Sequence, residues 1–135
     1  MSCHKKAYIT TPIYYVNDIA HIGHAYTTII ADTLARYSRL SGLDTFFLTG
    51  TDEHGLKIYQ KAQEKGKSPQ DFVDFYAEQW KEFCKVFQIS YDTFYRTSDP
   101  VHHELAKEFW KKSNDNRDIY KKEHGPRTAA SHTCV

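Results

Sequence analysis

Two short stretches of this 135-residue chain hold side chains whose type and spacing suit chemistry on a charged substrate. The first is His21-Ile22-Gly23-His24. Residues three apart face the same side of one helical turn. If that turn opens a helix, its unpaired N–H groups and partial positive charge make an anion site. Gly23 removes a side chain where a phosphate or a flat base must come close to the backbone. Imidazole donors beside a phosphate stabilise charge that grows on it during displacement. Such a reaction needs positioning rather than an enzyme nucleophile. The same spacing also fits two histidines that only cap a helix or face solvent. Zinc is a poorer fit, because His-x-x-His lacks a third ligand and His-Glu-x-x-His is absent.

The second stretch is Thr49-Gly50-Thr51-Asp52-Glu53-His54-Gly55. Asp52, just past a predicted strand, is a partner for a substrate ammonium group. Thr51 or Asp52 can equally cap a helix that begins near His54. Three lookalikes carry less. Gly66-Lys67-Ser68 ends like a phosphate-binding loop, but Lys61 stands where its first glycine must be. His102 and His103 are adjacent on a predicted helix and point different ways, which argues against a joint ligand role. The aromatic stripe from Phe72 to Phe87 reads as core rather than as a platform for bases.

The elements that position these stretches can be read from periodicity. Ala7–Thr11 is short, β-branched and aromatic, and predicts a strand that Pro12 ends. A loop is expected to about Ala20. Ile30, Leu34, Tyr37 and Leu40 recur at helical spacing, and Gly42 suits a helix C-terminus. Thr45–Thr49 predicts a second strand, and a helix is expected from His54 to Lys65. Ser68, Pro69 and Asp71 form a helix start, with a cap, a first-turn proline and an acid at the positive end of the dipole. Phe72, Val73, Tyr76, Trp80, Phe83, Cys84 and Phe87 then give a broad apolar stripe. Thr93–Arg96 predicts a third strand. Ser98-Asp99-Pro100 starts a last helix, with Val101, Leu105 and Phe109 on one side. Strands alternating with helices predict an α/β fold with a parallel sheet. Successive parallel strands then end at one sheet edge, where ligands of open α/β sheets bind. Both chemical stretches fall at that edge.

Composition narrows the partners. Apolar residues make up 40% and charged residues 26%, which is globular, and the formal net charge is +1. A broad basic field is therefore not what grips a polyanion in this segment. Cys3, Cys84 and Cys134 form no Cys-x-x-Cys, so neither a zinc knuckle nor a disulfide framework is indicated. Without a signal peptide or an apolar run of membrane-spanning length, a cytoplasmic protein is expected.

His21-Ile22-Gly23-His24 after a first strand resembles the HIGH motif of class I aminoacyl-tRNA synthetases. Thr10-Thr11-Pro12-Ile13-Tyr14-Tyr15-Val16-Asn17 before it, and Phe47 to Gly55 after it, resemble the methionyl-tRNA synthetase family. The similarity runs from about Lys6 to about Glu123. It implies a Rossmann-like (HUP-type) nucleotide-binding fold, present as its first half only, with added helices. It implies ATP, with Mg2+, as the substrate that activates L-methionine to an adenylate, and transfer to tRNA(Met). His21 and His24 would be the catalytic residues. With Gly23 they would contact ATP. Ile13, Tyr15 and Asp52 would hold methionine, Asp52 through its ammonium. No zinc site or other metal site and no membrane contact is expected in this segment.

The family's lysine-bearing KMSKS loop is not in this sequence. Alone, the chain is expected to be inactive or weakly active. Residues 1–124 would be the synthetase part and 125–135 a non-matching, disordered tail, left by truncation or a frame change. Two other functions fit the same residues: a non-catalytic nucleotide-binding remnant, and a small HIGH-type nucleotidyltransferase acting on another acid or phosphate.

Overall fold

The computed structural model describes residues 5–17 and 19–122. The expected tail, 125–135, lies outside them. Through His103 the chain forms one unit, and from Glu104 it belongs to a second. The elements in order are β1 (Lys6–Thr10), β2 (Tyr14–Tyr15), α1 (Ile22–Leu40), β3 (Asp44–Asp52), α2 (Leu56–Glu64), α3 (Pro69–Val86), β4 (Thr93–Arg96) and α4 (Pro100–Asp115).

The sheet is parallel throughout, with β3 at its centre. Leu48 is in register with both Thr10 and Thr93, and Thr51 with both Tyr14 and Arg96. β4 therefore runs along one side of β3, while β1 and then β2 follow each other along the other. Parallel neighbours need crossovers, and α1 supplies one, α2 with α3 the other. Gly50 is fixed by this arrangement. A Cβ there would collide with the Tyr95 carbonyl oxygen of the adjacent strand.

Several local signals act as expected. Ser68 Oγ accepts the Asp71 N–H at 3.1 Å and caps α3, with Pro69 in its first turn. Phe72, Val73, Tyr76, Trp80 and Cys84 of the predicted stripe are buried. Burial pushes the Cys84 thiol up to about 11, so it behaves as a small apolar residue rather than a nucleophile. Thr93–Arg96 is a strand as predicted.

Other expectations are corrected. β3 runs on past the predicted end at Thr49 through Asp52, so Gly50, Thr51 and Asp52 are strand residues rather than a segment past its end. The cap of α2 is Gly55, with φ at 131° and no side-chain hydrogen bond, so neither Thr51 nor Asp52 caps it. That backbone conformation is one only glycine adopts readily. β2 interrupts what reads as a loop, because Tyr14 and Tyr15 pair with Thr51 and Asp52. In α1 the helix is correct but its apolar residues do not mark the packed face. Ala25, Thr28, Ala31, Asp32 and Ala35 are buried, whereas Ile30, Leu34, Tyr37 and Leu40 are exposed. Small side chains let the helix lie close to the sheet at Phe47. Likewise Val101, Leu105 and Phe109 of α4 are exposed, and no residue of that helix is buried.

Two apolar clusters hold the first unit together. Tyr14, Val16, Ile58, Ala62, Phe72, Tyr76 and Trp80 form one. Ala31, Ala35, Phe47, Cys84 and Ile89 form the other, which joins α1, β3 and α3. Both lie on the sheet face that carries Ile9 and Phe47. On the other face Tyr8 and Phe46 stack at 5.9 Å and stay exposed.

Candidate active site

His21 is the N-cap of α1, and the two histidines of the first stretch build the helix start between them. His21 Nδ1 accepts the Gly23 N–H at 3.1 Å, and His24 Nδ1 accepts the His21 N–H at 3.2 Å. This is a capping box in which imidazoles take the places usual for serine and glutamate. Gly23 makes room for it: a Cβ there would lie 3.0 Å from the His21 ring. The rings stack with centroids 3.8 Å apart.

The capping bonds fix the tautomers. An accepting Nδ1 carries no proton in a neutral imidazole, so the proton sits on Nε2. Each histidine therefore keeps one N–H donor that the helix cap does not use. The expectation of free backbone N–H groups is modified accordingly. The N–H groups of Gly23, His24 and Ala25 are all taken by His21, so the imidazoles are the side-chain donors at this helix start for an anion. Burial, then the proximity of His21, lower the pKa of His24 below its ordinary 6.5. At neutral pH His24 is thus a hydrogen-bond donor and not a cation.

An aromatic seat holds His24 in place. Its ring meets Trp80 edge-on at 4.9 Å and Tyr14 at 5.1 Å, while Tyr14 and Trp80 stack at 4.5 Å. The Tyr14 hydroxyl and the Thr28 hydroxyl share a 2.8 Å hydrogen bond, and Thr28 donates to the His24 carbonyl. The stripe on α3 is core, and at Trp80 that core touches the site.

Ile13, Tyr14, Tyr15, Asn17, His21 and His24 line a cleft of about 380 Å³. That is within the usual size of small-molecule sites. The structure brings together Ile13, Tyr15, His21 and His24. Asp52 is not among the lining residues, but it is in register with Tyr15 on the next strand. All five stand at the end of the sheet where parallel strands point, which is where ligands of open α/β sheets sit.

Beside Asp52 lies a buried charge network that no local sequence signal marks. The neighbouring Glu53 has a fully buried side chain and engages Arg96 with both oxygens, at 2.8 and 2.9 Å. Thr51 Oγ1 donates to Glu53 at 2.6 Å, Ser98 Oγ donates to it as well, and the Glu53 N–H donates to Thr97 Oγ1 at 2.8 Å. Arg96 also reaches Asp74 on α3, and this bond holds the Asp74 carboxyl below its usual range. A buried carboxylate of this kind needs a charged partner, and Arg96 at the end of a predicted strand was the available one.

A family model for class I (M) tRNA synthetases matches residues 7–128. Methionine–tRNA ligase of Thermotoga maritima is 56% identical over 116 residues, which is 86% of this chain and 18% of that protein. The Campylobacter jejuni ligase is 50% identical over 128 residues, 95% of this chain and 20% of that protein. A solved structure of Mycobacterium tuberculosis methionyl-tRNA synthetase in complex with methionyl-adenylate superposes with a TM-score of 0.84 at 42% identity. It covers 86% of this chain, which spans 23% of that structure. The chain spans about a fifth of the length of the curated relatives it matches. From the family match over most of its length, the chain belongs to the class I (M) tRNA synthetases.

Proposed function

We propose that this segment supplies the histidine-bearing half of a site that joins L-methionine to ATP, with tRNA(Met) as the later acceptor. One observation carries the reading: Ile13, Tyr15, His21 and His24 share one cleft, with Asp52 in register beside Tyr15. Its relative bound to methionyl-adenylate supports it. In this reading Ile13 and Tyr15 contact the thioether side chain, and the Asp52 carboxylate pairs with the ammonium group. The methionine carboxylate oxygen attacks the α-phosphorus of ATP and pyrophosphate leaves. The Nε2–H groups of His21 and His24 donate to the phosphate as its negative charge grows, which lowers the barrier without proton transfer. Gly23 keeps that surface open. The donor set fits a triphosphate. Mg2+, when bound with ATP, would offset charge on the phosphates. The proposed compartment is the cytoplasm.

The test is methionine-dependent ATP–pyrophosphate exchange, in the intact enzyme that contains this segment and in this chain alone. In the intact enzyme, His21→Asn should lower kcat and Asp52→Asn should raise KM for methionine. The chain alone should turn over slowly or not at all. Exchange indifferent to both substitutions would overturn the reading. ATP binding without exchange in the intact enzyme would favour a nucleotide-binding remnant instead. Exchange driven by another acid would favour the small nucleotidyltransferase.

A further inference from the structure

We propose that His54 and His103, with the Thr97 carbonyl, form a binding site for a divalent late first-row transition ion of the Zn2+ type. The Nε2 atoms of the two histidines are 3.2 Å apart, and His54 Nε2 is 3.0 Å from the Thr97 oxygen. Both side chains are exposed, so the pair is open to solvent and to an ion. The residues are 49 apart in sequence, and no spacing motif announces them.

A single proton serves this geometry poorly. If His54 Nε2 carries the proton, that proton is split between a carbonyl and a second imidazole. If both imidazoles carry one there, two donors oppose each other. A dication resolves the conflict, because it accepts an electron pair from each imidazole, with the Thr97 carbonyl beside His54 as a further oxygen donor. Two imidazoles at the usual Zn–N distance of about 2.0–2.1 Å and a tetrahedral angle have their nitrogens about 3.3 Å apart. The observed separation needs almost no movement. Imidazole nitrogen suits Zn2+, Co2+, Ni2+ and Cu2+, and the tetrahedral spacing favours Zn2+ and Co2+.

The surroundings support a site built at this place. The His54 backbone follows Glu53, which Arg96, Thr51 and Ser98 hold. The His103 N–H donates to the Asp99 carbonyl in the first turn of α4. His102 is turned away onto the Tyr95 ring at 5.5 Å. Among the described residues no third His, Cys, Asp or Glu side chain completes the set. Water would fill the remaining positions, which makes the ion exchangeable rather than structural. An occupied site clips the segment just after Asp52 to the start of α4.

The test uses this chain with Cys3 and Cys134 changed to Ser, which removes competing thiolates. It is titrated with Zn2+ by calorimetry and with Co2+ by visible absorption. One ion per chain is expected, with a tetrahedral Co2+ band. His54→Ala and His103→Ala should each abolish the band and weaken Zn2+ binding at least tenfold, while His102→Ala leaves both unchanged. Circular dichroism of the variants shows that the fold is intact. No uptake at millimolar Zn2+, or uptake unchanged in both His54→Ala and His103→Ala, overturns the proposal. Neither result bears on methionine activation, since no substrate is present.

Discussion

His24 accepts the backbone N–H of His21 at 3.2 Å, so the second histidine of the motif caps the first. Structure and chemistry are thus divided within each ring. Nδ1 holds the helix start, and Nε2–H is left out of the cap.

That division can be tested with one substitution. Asparagine is among the best N-caps, so His21→Asn should keep α1 intact. Urea unfolding should shift by less than about 1 kcal/mol, the usual scale of a lost cap. The Asn amide is still a donor, but it stops short of the position held by Nε2. Exchange activity of the intact enzyme should fall by about 10²-fold, as expected for removing one preorganised donor. A large loss of stability with unchanged turnover per folded enzyme would mean the ring is only a cap.

The lowered pKa of His24 makes a second prediction. Burial and His21 both disfavour its cation, so the folded value lies below 6.5. The unfolded chain then binds this proton more readily, and protonation favours unfolding. The contribution is fully present above pH 6.5 and is lost as pH falls through the folded value. An NMR titration should place the His24 midpoint below 6.5. Denaturant stability should decline more steeply on acidification in the wild type than in His24→Gln.

How much of this was legible in the sequence depends on how local each signal is. Ser68-Pro69 fixes a helix start with neighbours a few residues away, and α3 begins there. The two-residue strand Tyr14–Tyr15 exists only because β3, more than thirty residues later, offers it a partner. No window around Tyr14 contains that fact. For α1 the period gave the helix but the apolar stripe gave the wrong face. The packed side is made of Ala31, Ala35 and Thr28, whose small size suits close approach to Phe47 and carries no hydrophobic signal. Asp52 and Glu53 show the same limit. Asp52 is the last residue of β3 and Glu53 the first beyond it, so no strand alternation in the sequence assigns their directions. Which one is buried on Arg96 is set by pairing across the sheet.

The Glu53–Arg96 pair should behave as a buried ion pair. Arg96→Met leaves Glu53 charged, buried and without its partner, at a cost of about 3–5 kcal/mol. Adding Glu53→Gln should recover part of that loss, since the stranded charge is gone. A double-mutant cycle by urea unfolding measures the coupling. Additive losses would show that the two residues act separately.

Asp32 should set the acid limit of the fold. Its carboxylate bridges α1 to the segment that enters β4, accepting the Ser90 N–H at 2.7 Å, the Ser90 hydroxyl at 2.5 Å and Arg36 at 2.7 Å. Burial alone would push its pKa up, but the bonds from Ser90 and Arg36 outweigh it and hold the value below 3.8. A depressed carboxylate stabilises the fold above its unfolded pKa. That contribution disappears as pH falls through the lower folded value. Asp32→Asn keeps the shape but turns one accepting oxygen into an NH2 donor, so the bond on that side is lost and the rest weaken; at neutral pH it should cost about 1–3 kcal/mol. The gap between wild type and variant should close on acidification below pH 3.8. A gap that stays constant across that range would mean the carboxylate charge contributes nothing, and that shape alone joins the helix to the strand.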